Sequence, residues 1–394
     1  MRSSEEGGRI VKLKKIFLAL LLLALIGGGA LTLACYRRAS GWSLYENRAL
    51  AGAPEVTVQS VLSGRAAGQL EDCLRDHFVG RDRLLKLSTR LALLRKQPVV
   101  NGVVTGDDAL LPEPLGKAVD TAQLAADAQT IAARLSAVQK TVEGYGGTFL
   151  YIHVPEQRSV LRGRYPGWMT DDGAYLDASS EALLTALRDA GVPALNLTAA
   201  LSADESLYFS TDHHFNLYGA NFVYETVCVQ PEVQKWGVFY VETPILEAKN
   251  PFLGTYGREL FDQSDLRESL AFYTPTIPYT RFDNGVPSDV PLIDVPENAQ
   301  KTVFYAAYMG GDIGETVLKT SRPELPSLLI VGDSFTNPVE TLIYQSFDET
   351  RSLDFRHYSD KTLTEYLCSY QPEVVLILRD NVSCLTLTGN GNLQ

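Results

Sequence analysis

The chain opens on a long stretch without charge. Between residues 16 and 36 most positions are Leu, Ala, Ile or Gly. At about 1.5 Å per residue, a helix of that length reaches about 30 Å and spans a bilayer. Beyond it the pattern turns amphipathic. After an irregular stalk over residues 40–57, apolar spacing predicts helices near 61–78 and 83–94, the second through Leu84, Leu87, Leu91 and Leu94. Residues 102–114, rich in Gly, Asp and Pro, predict a turn-laden entry to the main domain.

From there the segments alternate in type. Apolar side chains at 124, 128, 131, 135, 138 and 142 recur at helical spacing and predict an amphipathic helix over 121–143. Gly146-Gly147 ends it, and TFLYIHV at 148–154 predicts a strand. A helix over 181–190, a turn at Gly191-Val192-Pro193, a short strand at 194–197 and a helix over 217–229 follow. A Pro-rich stretch at 243–298 interrupts the alternation and predicts irregular or β insertions. SLLIV at 327–331 and EVVLIL at 373–378 then predict buried strands, with a helix at 339–347 between them. Strands alternating with helices imply parallel pairing and a sheet covered on its faces, so the expected class is α/β.

Charge sharpens the picture at both ends of this scheme. Residues 1–40 carry seven Lys and Arg against Glu5 and Glu6, a net of +5, so a chain of net charge −12 leaves −17 for residues 41–394. A body that acidic repels nucleic acid through its mean field. Lys12, Lys14 and Lys15 precede the apolar run, whereas Arg37 and Arg38 follow it; the larger group sets the N-terminus in the cytoplasm. The expected organisation is a basic tail (1–15), a transmembrane signal anchor (16–36), a membrane-proximal stalk with helices (37–100) and a catalytic domain (101–394). The last has a possible insertion at 243–298. A cleaved signal peptide, or a lipoprotein acylated at Cys35, are the alternatives for the N-terminus; each leaves the body outside the cytoplasm. Cys73, Cys228, Cys368 and Cys384 permit two disulfides, but no spacing requires them and buried free thiols are expected. No cysteine–histidine cluster suggests zinc, and neither a metal nor a cofactor is expected.

Candidate chemistry sits at two places. Gly332-Asp333-Ser334-Phe335 follows the SLLIV strand directly. Open α/β sheets place active sites just beyond the C-terminal ends of their strands, and backbone N–H groups there stabilise an oxyanion. Ser334 as a simple helix cap is the competing reading. A serine nucleophile needs a base, and of five histidines those in Thr211-Asp212-His213-His214-Phe215 lie in a polar loop before a helix. In extended backbone residues two apart point the same way, so Asp212 is placed to orient His214 rather than His213. A polar cap made by Asp212, or a metal site of Asp212, His213 and His214, are the alternatives.

The Thr-Asp-His-His-aromatic signature resembles the bacterial DHHW proteins, relatives of the alginate O-acetylation proteins in the SGNH-hydrolase-like group. Further pieces occur in the same order: Glu46-Asn47-Arg48 with Leu50 and Pro54, and the segment Asp76 to Asp82 with its Gly80-Arg81-Asp82. Tyr305 and Tyr308 before Gly310-Gly311, the Gly332 to Phe335 block, and Leu353 to Tyr358 complete the series. Phe215 departs from the pattern, which has Trp there.

The resemblance implies an SGNH-hydrolase-like three-layer sandwich with a mainly parallel sheet. It implies Ser334 as nucleophile, His214 as base and Asp212 as its orienting acid. The Ser334 amide, with Gly310, Gly311 or the Asn381 side chain after the last strand, is the expected set of oxyanion or substrate donors; a plain turn at the glycines and a cap at Asn381 are the competing readings. The resemblance also implies O-acyl, most simply O-acetyl, transfer to an exported polysaccharide, with a multi-spanning membrane acyltransferase as the acyl-supplying partner. A carbohydrate esterase with the same triad and a non-catalytic envelope scaffold are the alternatives.

Overall fold

A computed structural model describes residues 2–36 and 41–393. Arg37 and Arg38, the charges beyond the apolar run, lie outside the described residues. The chain divides into two compact units, Met1–Gln97 with Arg258–Gln263, and Pro98–Gly257 with Ser264–Gln394.

The first unit begins with helix α1 (Arg2–Cys35). Its stretch Val11–Thr32 is long and apolar enough to cross a membrane, by length and composition. Helices α2 (Val58–Leu62), α3 (Arg65–His77) and α4 (Arg81–Leu94) follow, where the apolar spacing predicted two helices; α2 is closed by a Thr57–Ser60 capping box. The stalk is less irregular than expected, because Trp42–Ser43 and Arg48–Ala49 pair as a small hairpin. Arg48 grips the buried Asp76 with two bonds of 2.7 Å, and Arg81 reaches Glu46 at 2.8 Å. Two segments that carried the family resemblance are thus joined by ion pairs. The Arg48 guanidinium holds the Asp76 carboxyl well below the usual carboxylate range.

The second unit is a three-layer α/β sandwich. Its sheet contains β1 (Thr148–Val154), β2 (Ala194–Asn196), β3 (Thr280–Asp283), β4 (Val286–Pro287), β5 (Glu315–Lys319), β6 (Ser327–Val331), β7 (Glu349–Leu353) and β8 (Val374–Asp380). The order across the sheet is β4-β3-β5-β7-β6-β8-β1-β2. From β7 to β2 every pairing is parallel, and β5, β3 and β4 extend that core antiparallel.

Helices α5 (Thr121–Gly144), α6 (Gly173–Asp189), α7 (Leu217–Cys228), α8 (Thr336–Ile343) and α9 (Leu363–Tyr370) cover both faces. Alternation along the strands divides the interior in two. Leu150, Ile152, Leu328, Ile330 and Leu376 face α7 and α8. Phe149, Tyr151, Leu329, Val331 and Ile377 face α5, α6 and α9. On α5 all six residues expected to face inward, from Leu124 to Val142, are buried.

Several elements differ from expectation. Helix α6 starts eight residues earlier than the predicted 181, at Gly173, and α8 closes at Ile343 into a 3-10 turn, Tyr344–Ser346. Strands β5 and β7 and helix α9 were not predicted, because ETVLK and ETRSL mix charges into short runs. Their polar residues are satisfied locally: Lys319 of β5 reaches Glu349 of β7 across the sheet at 2.9 Å, and Arg351 reaches the same carboxylate along its own strand at 2.6 Å. Part of the Pro-rich stretch joins the sheet as β3 and β4, and Leu246–Pro251 with Ser269–Phe272 forms a separate hairpin. Cys73, Cys228, Cys368 and Cys384 are free thiols, and only Cys368 of the four is exposed.

Candidate active site

Strand β6 ends at Val331, and the chain must turn at once into α8. Only glycine fits at 332: a Cβ there would lie 2.3 Å from Thr336 Cγ2 and 3.0 Å from the Leu378 carbonyl oxygen. Asp333 fixes the turn, its Oδ1 accepting the Phe335 N–H at 3.1 Å and its carbonyl accepting the Thr336 N–H at 2.8 Å. Desolvation first, and the Asp380 carboxylate second, push the Asp333 carboxyl up to about 6. Ser334 is left half-buried at the C-terminal edge of the parallel strands. Its hydroxyl does not cap α8, whose N-cap is Phe335 without a side-chain bond. It lies 2.8 Å from His214 Nε2 instead.

The histidine arrives on a tight loop. Tyr208 and Phe215 bridge antiparallel, with Phe209 N–H donating to the His214 carbonyl at 3.3 Å and Asn216 N–H to that of Leu207 at 2.9 Å. Asn216 caps α7 through the Tyr218 and Gly219 N–H groups, so Asp212 is not needed as a cap. Its Oδ1 accepts His214 Nδ1 at 2.6 Å and the His214 N–H at 3.2 Å; its Oδ2 accepts the Thr255 N–H at 2.7 Å and hydroxyl at 2.9 Å. Burial alone raises the carboxyl, yet His214 and these donors hold it well below the usual carboxylate range. Both Asp212 oxygens are thus committed, each to two donors.

His213 lies tilted against His214, ring centroids 3.7 Å apart, but its Nδ1 is 3.6 Å from Asp212 Oδ1, outside hydrogen-bond range. Burial, then the neighbouring His214, lowers its pKa. Its carbonyl accepts the Gln157 N–H at 3.1 Å.

The two glycines and the asparagine are placed differently from one another. Gly310 and Gly311 both have positive φ, +79° and +97°. The Gly311 N–H closes a turn on the Tyr308 carbonyl at 3.1 Å, but its backbone also lines a small polar cavity with Gly332, Asp333 and Asn337. Asn381, after β8, has its amide engaged at both ends, accepting the Glu156 N–H at 3.0 Å and donating to Ser159 Oγ at 2.8 Å. It ties the loop after β8 to the segment after β1, using its oxygen and one of its two amide N–H groups.

Four residues around the trio were not singled out for the site from the sequence. Thr255 anchors Asp212. Glu268 accepts the Ser210 and Thr211 N–H groups, each at 2.8 Å, and both of their hydroxyls. Tyr305 stacks on His214 and Phe335 packs against it, at 4.7 Å between centroids. Thr255 and Glu268 come from the Pro-rich stretch, which has no local periodicity to mark them; Tyr305 was visible only as part of the aromatic-glycine block. Phe215 is fully buried and sits edge-on to Tyr208 and Phe335. The aromatic at this position is a core residue that backs the site.

Comparison with known proteins agrees with this architecture. Residues 115–236 match the family model of the SGNH hydrolase-like domain of acetyltransferase AlgX. The chain has an SGNH-hydrolase-like fold. The matched segment includes Asp212 and His214 and stops before Ser334. PatB1 of Bacillus cereus, solved with a sulfonyl adduct, superposes with a TM-score of 0.57 at 19% identity, over 73% of this chain and 97% of that one. A DHHW family protein from Eubacterium siraeum superposes with a TM-score of 0.53 at 21% identity, over 73% and 93%. The O-acetyltransferase domain of Pseudomonas putida AlgJ gives 0.46 at 15% identity, over 73% and 93%. No curated protein matches the chain at a significant level.

Proposed function

We propose that this chain is a membrane-anchored serine O-acyltransferase whose second unit lies outside the cytoplasm and transfers an acyl group, most simply acetyl, to a hydroxyl of an exported polysaccharide. The observation that carries the reading is the unbroken chain from Ser334 Oγ to His214 Nε2 and from His214 Nδ1 to Asp212 Oδ1, at 2.8 and 2.6 Å. The match of residues 115–236 to an acetyltransferase domain supports transfer, and α1 supports the anchor.

In this mechanism Ser334 Oγ attacks the carbonyl carbon of the donor ester while its proton passes to His214 Nε2. Asp212 holds the Nδ1–H tautomer and stabilises the imidazolium, and the Ser334 N–H, which has no acceptor among the described residues, donates to the oxyanion. Gly311 lines a small cavity with Gly332 and Asp333, the two residues before Ser334, and its N–H would have to leave the Tyr308 carbonyl to serve as a second contributor. Collapse of the tetrahedral intermediate expels the donor alcohol, protonated by His214, and leaves acyl-Ser334. A sugar hydroxyl then gives its proton to His214, attacks the acyl carbon and releases Ser334, which recovers that proton. A multi-spanning membrane protein that delivers the acyl group across the bilayer is the proposed partner.

The test is turnover of a chromogenic acetyl ester by the detergent-solubilised chain, with and without oligosaccharide acceptors. Ser334→Ala and His214→Ala should each lower kcat by about 10³-fold or more, Asp212→Asn by a similar order, and His213→Ala far less. A sulfonyl fluoride should add its sulfonyl mass at Ser334. No ester turnover together with no adduct overturns the catalytic reading, and turnover that acceptors never divert from water favours an esterase.

A further inference from the structure

Helix α4 is apolar on the wrong side for a helix of a soluble unit. Thr89 is buried and Leu85 and Leu93 are half-buried, which identifies the face turned inward. Leu84, Leu87, Leu91 and Leu94 fall on the opposite face, within an arc of about 80° at ~100° per residue. They range from 45% exposed at Leu91 to 71% at Leu94. A leucine stripe of this kind opposite the packed face marks a contact with something else.

Two features of the same unit say what that is. The turn that begins α4 is attached to the membrane-spanning stretch. The Val79 N–H donates to Thr32 Oγ1 at 3.2 Å, and the Phe78 ring lies against Gly28, where a Cβ would stand 3.2 Å from a ring carbon. Gly28 is four residues inside the end of Val11–Thr32, a depth of about 6 Å at 1.5 Å per residue. The start of α4 is therefore level with the outer edge of the hydrocarbon.

Charge is the second feature. From 81 to 96 the chain carries six basic residues against Asp82 alone, a net of +5 within a body of net −17. Arg81 is taken by Glu46 and Lys86 lies over the Tyr45 ring at 4.6 Å. Arg83, Arg90, Arg95 and Lys96 have no carboxylate partner among the described residues, and Arg83 and Arg90 project beside the leucines. Long basic side chains flanking an apolar stripe let leucines enter the acyl boundary while the charges meet phosphates.

We propose that α4 lies in the outer surface of the bilayer that α1 crosses, its four leucines among the acyl chains and Arg83 and Arg90 on anionic phospholipid headgroups. The proposal rests on the anchor reading of α1. It makes the segment after the span a second, in-plane attachment rather than a free tether.

The test uses the full chain in vesicles of phosphatidylcholine with phosphatidylglycerol, their acyl chains brominated to quench tryptophan. Leu87→Trp should show blue-shifted emission quenched at least two-fold beyond that of the parent, and Ser88→Trp should not. Arg83→Glu with Arg90→Glu in the Leu87→Trp background should lose most of that quenching. Intact mass of the recovered protein reports separately whether residues 1–35 remain, so loss of the anchor is distinguished from loss of the α4 contact. Unquenched Leu87→Trp emission overturns the proposal whichever mass is found. A blue shift without quenching also overturns it, because protein then covers the stripe.

Discussion

His214 and Tyr305 lie face to face, ring centroids 3.7 Å apart and 8° from parallel. The Tyr305 hydroxyl simultaneously donates to the Ser334 carbonyl at 2.9 Å. One side chain therefore sets the plane of the proposed base and the height of the proposed nucleophile. With Phe335 against the imidazole, ring rotation is restricted to the plane that joins Asp212 and Ser334. An aromatic contact contributes about 0.5–1.5 kcal/mol and a neutral hydrogen bond about 1 kcal/mol. Tyr305→Phe keeps the stack and should lower kcat/KM for an acetyl ester by up to about tenfold. Tyr305→Ala loses both contacts and should cost about a hundredfold. Equal losses in the two variants would remove stacking from the account.

Glu268 is to the Thr211–His214 loop what Tyr305 is to the imidazole. Burial raises its pKa while the Ser210 and Thr211 donors work against that rise. In Glu268→Gln one acceptor oxygen becomes an N–H group facing other donors, at a cost of roughly 1–3 kcal/mol. Thermal melting should fall by several degrees. If the loop loosens as argued, kcat falls about 10- to 100-fold with KM little changed, and sulfonyl fluoride labelling of Ser334 slows in step. A drop in melting temperature with kcat intact would reduce Glu268 to a structural role.

How far the sequence reaches is clear from these same residues. Asp212, His214 and Ser334 were legible because local rules expose them: an Asp-x-His couple in extended backbone, and a Gly-Asp-Ser turn at the end of an apolar strand. Helix α5 and strands β1, β6 and β8 were legible because period 3.6 and unbroken apolar runs survive without tertiary context. Thr255 and Glu268 were not, since each acts across a contact more than forty residues away in a stretch without periodicity. Strands β5 and β7 were hidden for a related reason. Polar residues in them, such as Lys319, gain their partners only once a neighbouring strand is in place.

Gly254 provides a backbone test of the Asp212 anchor. A Cβ at this position would stand 2.4 Å from the Thr211 carbonyl oxygen and 2.7 Å from its carbon. Both are main-chain atoms with no flexible end to yield, and overpacking of this kind costs about 1–3 kcal/mol. The strain falls on the residue before Thr255, whose N–H and hydroxyl hold Asp212 Oδ2. Gly254→Ala should therefore lower ester turnover by at least about tenfold, as well as lowering the melting temperature. Gly163→Ala, where a Cβ meets nothing within 4 Å, should change neither. Turnover unchanged in Gly254→Ala would show that the Thr255 bonds are dispensable.

Glu340 gives the protein a stability that depends on pH. On α8, beneath the Ser334 turn, it is 4% exposed and accepts the Thr336 hydroxyl. Burial, opposed by that hydroxyl and the one on Ser352, pushes its carboxyl up from 4.5 to about 7. A carboxyl raised in the folded state favours folding fully below its unfolded value. That contribution fades as pH rises from 4.5 to about 7 and stays lost above it. The difference corresponds to roughly 3 kcal/mol at most, at 1.36 kcal/mol per pH unit. Glu340→Gln keeps an oxygen for Thr336 and does not titrate. Its unfolding free energy should exceed that of the parent chain at pH 8, and the advantage should shrink steadily to nothing near pH 4. Chemical denaturation of both proteins across that range is the measurement. Parallel curves at every pH would mean that Glu340 is charged, and satisfied, in the folded state throughout.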